Sequence, residues 1–164
     1  MLVLYCLCFI LAMLLHELGH LCAARVCRVP ARELGLGWGA CIYQVRIGSV
    51  WYKLHALPVG AYVRLDMRVL QQRTLDQQVF VLLAGIIVNL IAASVTRGTA
   101  FSLMNLLLAM TNLLPLYQQD GWKCGMVLLR ALLRRKSALI EWTFTLTGGG
   151  LSLALFAAFA LRYL

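Results

Sequence analysis

Four windows of this chain are long, apolar and nearly free of charge, and each approaches the length a helix needs to cross a bilayer. A hydrocarbon core about 30 Å thick takes roughly 20 apolar residues per helical crossing. Residues 1–24 are apolar apart from His16, Glu17 and His20. Residues 79–96 and 142–161 carry no charge, and residues 99–117 are also uncharged but contain Asn105, Asn112 and Pro115. With 62% of its 164 residues hydrophobic and 13% charged, the chain has more apolar surface than a water-soluble core of this size could cover. The expected fold class is an all-α membrane protein with about four transmembrane helices, a membrane-associated β-hairpin and an amphipathic surface helix. It is expected to form one intramembrane domain over residues 1–164, without a PDZ or other soluble regulatory domain.

Charge sets the expected topology. Only Arg97 and Gly98 separate the second and third windows, which makes these two crossings antiparallel neighbours. If the first crossing starts outside, the internal segments are 25–78, with eight Lys or Arg, and 118–141, with five, so 13 of the 15 basic residues lie inside. That asymmetry satisfies the positive-inside rule and points to a multi-pass protein of the cell membrane. The net charge of +9 then reflects orientation and contact with the lipid surface rather than nucleic-acid binding. The leading apolar stretch is expected to stay as a span, because no Lys or Arg precedes Leu2 to Leu15 and no small-residue cleavage site follows. The six cysteines form no CxxC pair, so they are read as packing residues rather than as disulfides or a zinc ribbon.

Between the first two windows, residues 42–57 read as strand, turn, strand. Tyr43, Val45 and Ile47 alternate with Gln44 and Arg46, then Val50, Tyr52 and Leu54 alternate with Trp51, Lys53 and His55. Gly48-Ser49 between them suits a II′ hairpin turn. Open sheet edges cannot face hydrocarbon, so the hairpin is expected at the interface or against protein. Leu57-Pro58-Val59-Gly60 is expected to end the second strand, and residues 64–78 to form an internal connector. Trp122 to Lys136 mixes apolar positions with Lys123, Arg130, Arg134 and Arg135, the pattern of a surface amphipathic helix. Gly148 to Gly150 would permit close helix packing in the last window.

His16-Glu17-Leu18-Gly19-His20 is an H-E-x-x-H sequence. Four residues advance an α-helix by about 400°, which leaves the two imidazoles about 40° apart on one face, able to bind one zinc ion. Glu17 then lies beside the metal as a general base for bound water. Three ionisable groups in one turn of an apolar span are costly unless something compensates for their burial, and a metal ion does so.

A catalytic zinc with an open position needs a third protein ligand. Asp120, Glu141, Cys22 and His55 are the candidates. Cys22 points away from the His16–His20 face, and Glu141 belongs at an internal boundary. Asp120 is the better choice, because Pro115 loosens the preceding helix near membrane depth, where unwound backbone can line a polar cavity. Asp120 can also serve as the N-cap of the amphipathic helix, and both roles are compatible.

In these motifs the chain resembles the site-two intramembrane metalloproteases, especially their small bacterial sporulation-type group. His16 to His20 matches the family's H-E-x-x-H helix. Asn112-Leu113-Leu114-Pro115 through Asp120-Gly121 matches its N-x-x-P-x-x-x-x-D-G motif. Leu57-Pro58-Val59-Gly60 resembles the family's Pro-containing loop, with Ala61 where a second Gly is common. Gly85 and Asn89 match its G-P-x-x-N pattern, with Ile86 in place of the Pro. The resemblance covers roughly residues 10–133. It implies zinc held by His16, His20 and Asp120, Glu17 as base and then acid, and Asn89 and Asn112 in the cavity as substrate-binding or oxyanion groups. It also implies a transmembrane or membrane-tethered protein substrate, while the charge-derived topology puts the ends of the first and third crossings, and so the active site, toward the cytoplasmic side, and substrate choice and restraint are expected to depend on other membrane proteins. The hairpin could add an edge strand to an unwound substrate. The alternative is a catalytically inactive metal-binding regulator or transporter. A transporter should carry several ligand layers along a path, whereas one cluster is found here, and Glu17 has no purpose without catalysis.

Overall fold

The long uninterrupted apolar runs become helices, and the glycine-punctuated stretch between the first two becomes sheet. A computed structural model describes residues 1–133 and 138–163, apart from the side chains at 156 and 159–163. In chain order the elements are α1 (Leu2–Val26), β1 (Ala31–Ile47), β2 (Val50–Leu65), α2 (Met67–Gln71), α3 (Leu75–Val95), α4 (Ala100–Leu113), α5 (Asp120–Leu133) and α6 (Ala138–Tyr163). They fall into two compact units, Met1–Met110 and Thr111–Leu164.

In the first unit, α1 packs on α3 and on the sheet. Small residues let the two helices approach: a Cβ on Gly19 would lie 2.9 Å from the Ala84 carbonyl oxygen and 3.1 Å from Gly85 Cα. The helix pair is thus in close contact within the H-E-x-x-H turn. The sheet begins as the expected hairpin. Gly48 has a φ of 62° and Ser49 does not share the positive sign, as a II′ turn requires. Beyond that turn the hairpin folds back on itself. Leu34 pairs with Val63 on one side and Tyr52 on the other, and Tyr52 pairs in turn with Val45. Four segments therefore lie side by side in the order 43–47, 50–54, 33–36 and 61–64, and 33–36 runs parallel to 51–54. Gly37, Gly39 and Gly60, with φ values of 91°, 90° and 98°, supply the bend. Leu34 and Val50 pack with Ala31 against Leu21 of α1, flanked by Tyr52, Val63 and Leu65, so the sheet is anchored one residue beyond His20.

These observations correct the all-α, four-span expectation. Residues 31–65 carry strands of 17 and 16 residues, because glycines spaced through them allow a folded sheet. Among the described residues, two helices, Leu2–Val26 and Leu75–Val95, are long and apolar enough to cross a membrane. The helix in the 99–117 window has 14 residues. That is about 21 Å at 1.5 Å per residue, short of the hydrocarbon core. Leu57 to Gly60 also fails to end the second strand. Pairing resumes from Ala61 to Leu65, and Gly60 turns the chain instead of stopping it. Because 50–54 is paired on both sides, the sheet's open edges among the described residues are 43–47 and 61–65.

In the second unit, α4 ends at Leu113, two residues before Pro115, and the chain runs irregularly to Gln119, with Gln118 at a φ of 71°. Gly121 lets the first turn of α5 close on this segment, since a Cβ there would overlap the carbonyls of Leu113 and Leu114. The Asp-Gly pair is therefore fixed to the break that precedes it. Trp122 lies beside Gly148 of α6, whose Cβ would meet its ring at 3.0 Å, and stacks on Phe144. Gly149 and Gly150 have nothing within 4 Å among the described residues. Arg134, Arg135 and Lys136, the end of the expected amphipathic helix, lie outside the described residues.

Candidate metal centre

The four-residue spacing in α1 turns both imidazoles to the face covered by α3. His16 and His20 are 5% and 6% exposed, and Glu17 beside them is half-buried. The rings meet edge to face with centroids 4.8 Å apart, and their Nε2 atoms are 3.1 Å apart. On the far side of His20, its Nδ1–H donates to the Val81 carbonyl oxygen at 2.7 Å. That bond places the proton on Nδ1 and leaves a lone pair on Nε2, as a metal ligand requires. His16 Nδ1 faces the side-chain amide of Asn89 at 3.3 Å. Asn89 is wholly buried.

Val81, Gly85 and Asn89 recur every fourth residue along one face of α3. The middle one is shaped by what it leaves open. A Cβ on Gly85 would lie 2.5 Å from His20 Nε2 and 2.7 Å from His16 Nε2. The space against the two nitrogens therefore exists because residue 85 has no side chain.

The pair suits a zinc ion. Tetrahedral zinc with Zn–N bonds of about 2.0–2.1 Å sets its nitrogens about 3.3 Å apart. The 3.1 Å separation is close to that. A contact of this length closes as a hydrogen bond when one ring carries its proton on Nε2, and with both protons on Nδ1 the two lone pairs would face a cation between them. Burial inside apolar helices makes the need for that cation stronger in the second arrangement.

Asp120 opens α5 in the second unit, where the helix dipole favours a carboxylate. It is 5% exposed and takes an ion pair from Lys123 Nζ at 3.0 Å. Its assignment as third ligand rests on the Asn112-to-Gly121 sequence. Asn112 is half-buried on the last turn of α4. The other three candidates are engaged or turned elsewhere. Glu141 pairs with Arg130 at 2.8 Å, and Cys22 is exposed. His55 donates from Nδ1 to the Gly39 carbonyl at 2.9 Å and has the Tyr62 hydroxyl 3.2 Å from Nε2. Burial pushes the Cys124 thiol up, with the Asp120 charge adding to it, which suits a packing role.

The sequence reading missed the Val81 carbonyl and the function of Gly85. A backbone acceptor leaves no trace in side-chain identity. Gly85 did leave one: a glycine four residues before a buried-span Asn, inside a helix where glycine is otherwise unfavourable.

Comparison with known proteins gives a consistent result. The family model for Peptidase family M50 matches residues 4–101. A provisionally named zinc metalloprotease of Clostridium perfringens is 32% identical over 95 residues, covering 53% of this chain and 28% of that protein. One of Clostridium acetobutylicum is 31% identical over 97 residues, covering 54% and 29%. One of Chlamydia trachomatis is 40% identical over 52 residues, covering 32% and 8%. The chain thus matches less than a third of each of these relatives.

Proposed function

Because the chain belongs to peptidase family M50, the site-two protease family, with zinc as its cofactor, we propose that it is an endopeptidase cutting a membrane-embedded or membrane-tethered protein. The observation that carries the reading is the paired, buried imidazoles of His16 and His20, with Nε2 atoms 3.1 Å apart and Glu17 in the same helical turn. In this proposal His16, His20 and Asp120 hold the ion. When bound, zinc acidifies a water molecule and polarises the scissile carbonyl. Glu17 would accept a proton from the attacking water and deliver it to the leaving amine, a role open to a carboxylate adjacent to the site but not ligating it. Asn112, beside the Pro115 break, presents a polar side chain to the substrate backbone. An unwound substrate can pair along an open edge of the sheet, of which 43–47 is one.

We further propose that α1 and α3 cross the bilayer, with residues 27–74 on the cytoplasmic side. This segment holds Arg28, Arg32, Arg46, Lys53, Arg64, Arg68 and Arg73 against Glu33 and Asp66, which favours that orientation. His20 lies six residues before the end of α1. The peptide bond would then be cut about 9 Å inside the cytoplasmic end of the helix. Substrate choice and restraint would fall to partner membrane proteins.

Glu17→Gln in membranes carrying a tethered candidate substrate tests the reading. The variant should retain zinc and lose cleavage. Cleavage that persists in the variant, or that survives zinc chelation in the parent, overturns it.

A further inference from the structure

Asn89 is 0% exposed in the middle of an apolar helix, yet its Oδ1 has no hydrogen-bond partner among the described residues. A buried amide oxygen left unpaired is costly. Its Nδ2 faces His16 Nδ1 at 3.3 Å. In that orientation the amide donates, and the imidazole must carry its proton on Nε2, the atom that faces His20 Nε2. In such a pair His16 Nε2–H donates to His20 Nε2, so His16 offers a metal no lone pair in this tautomer and that of His20 is taken up by the hydrogen bond. Turning the amide by half a rotation exchanges oxygen and nitrogen in nearly the same volume. The oxygen then accepts from His16 Nδ1–H and the lone pair moves to His16 Nε2, while the amide nitrogen takes the oxygen's former place. His20 already has this arrangement through the Val81 carbonyl.

We propose that Asn89 is a positioning residue for the metal centre, its amide oxygen accepting from His16 Nδ1–H and holding that imidazole in the metal-binding tautomer. The inference rests on the zinc reading above and departs from the substrate-binding role expected of Asn89 from sequence. A side chain wholly buried against His16 has no surface to offer a substrate. The strip Val81, Gly85 and Asn89 of α3 thus supplies an acceptor for each histidine at its ends and a vacancy between them.

The two amide orientations make opposite predictions for Asn89→Asp. A carboxylate only accepts, so it preserves an oxygen-facing contact and destroys a nitrogen-facing one. Asn89→Leu removes the acceptor at similar volume. Zinc affinity of the full chain in detergent is measured by competition with a chromophoric chelator, on variants whose circular dichroism matches the parent. Asn89→Leu should bind zinc roughly 10- to 100-fold more weakly, and Asn89→Asp should bind as tightly as the parent or more so, the range known for outer-shell partners of zinc histidines. Undiminished affinity in Asn89→Leu, or equal loss in both variants, overturns the inference. If Asn89→Leu does not fold, Asn89→Asp decides alone. A parent chain that binds no zinc defeats the metalloprotease reading itself, an outcome distinct from parental binding that the substitutions leave unmoved.

Discussion

Gly85→Ala places one methyl group where the account leaves least room. The added Cβ would lie 2.5 Å from His20 Nε2 and 2.7 Å from both Cε1 and Nε2 of His16. An ordinary contact is about 3.5 Å, so about 0.8–1 Å must be recovered. The rings are poor sources of that space, since His20 is held by the Val81 carbonyl and His16 faces Asn89. Either α1 retreats from α3 or an imidazole leaves its partner. In a helix interior, Ala in place of Gly contributes about 0.5–1 kcal/mol of stability. Overpacking costs about 1–3 kcal/mol, and a lost buried hydrogen bond about 1 kcal/mol more. The balance is a destabilisation of about 1–3 kcal/mol, opposite in sign to the propensity effect. Zinc ligation tolerates shifts of about 0.2 Å, so the ion should bind at least about tenfold more weakly. Thermal unfolding in detergent, with and without zinc, and chelator competition measure both quantities. Gly150→Ala is the control, because that residue is exposed and has nothing within 4 Å among the described residues. It should keep the helical gain and the parent's affinity. A Gly85→Ala variant that melts at or above the parent and binds zinc as tightly refutes the reasoning.

The folded-back sheet gives further tests. Glu33 accepts a hydrogen bond from Lys53 Nζ at 2.9 Å and forms an ion pair with Arg64 at 3.4 Å, and the Lys53 bond first of all holds its carboxyl below the ordinary carboxylate range. A depressed folded-state value means that its stabilisation is present above the unfolded value and lost as pH falls through the folded one. Amide exchange over residues 50–54, corrected for intrinsic rates, should therefore accelerate on acidification, and Glu33→Gln should remove that dependence. Gly37→Ala should destabilise the chain more than Gly39→Ala. Both glycines have positive φ, but a Cβ at 37 overlaps the Leu57 carbonyl whereas one at 39 meets nothing within 4 Å among the described residues. The left-handed conformation alone costs about 1–2 kcal/mol, so the difference in thermal midpoints reports the added clash.

What was legible in the sequence was local. The apolar runs gave α1 and α3 to within a few residues, the H-E-x-x-H spacing gave one buried face, and Gly48-Ser49 gave the hairpin turn. The strand at 31–41 went unread because its glycines dilute the alternation. Its pairing of 33–36 with 51–54 exists only once the hairpin has bent. Gly60 read as a stop because a breaker in sequence does not say whether the chain ends a strand or turns and resumes. The third expected span failed on length: Asn112 and Pro115 marked an end that comes sooner than the apolar composition implies. Gly85 stood out in the sequence only as part of a pattern, and the space it leaves is legible only with the α1–α3 crossing, which brings it against atoms 65 and 69 positions earlier in the chain.

Metal analysis of the purified chain bears most directly on the central assignment. One zinc per chain is expected in the parent, retained in Glu17→Gln and lost in His16→Ala, His20→Ala and Asp120→Ala. A parent without zinc, or an Asp120→Ala chain with full occupancy, contradicts the ligand set on which the proposed chemistry depends.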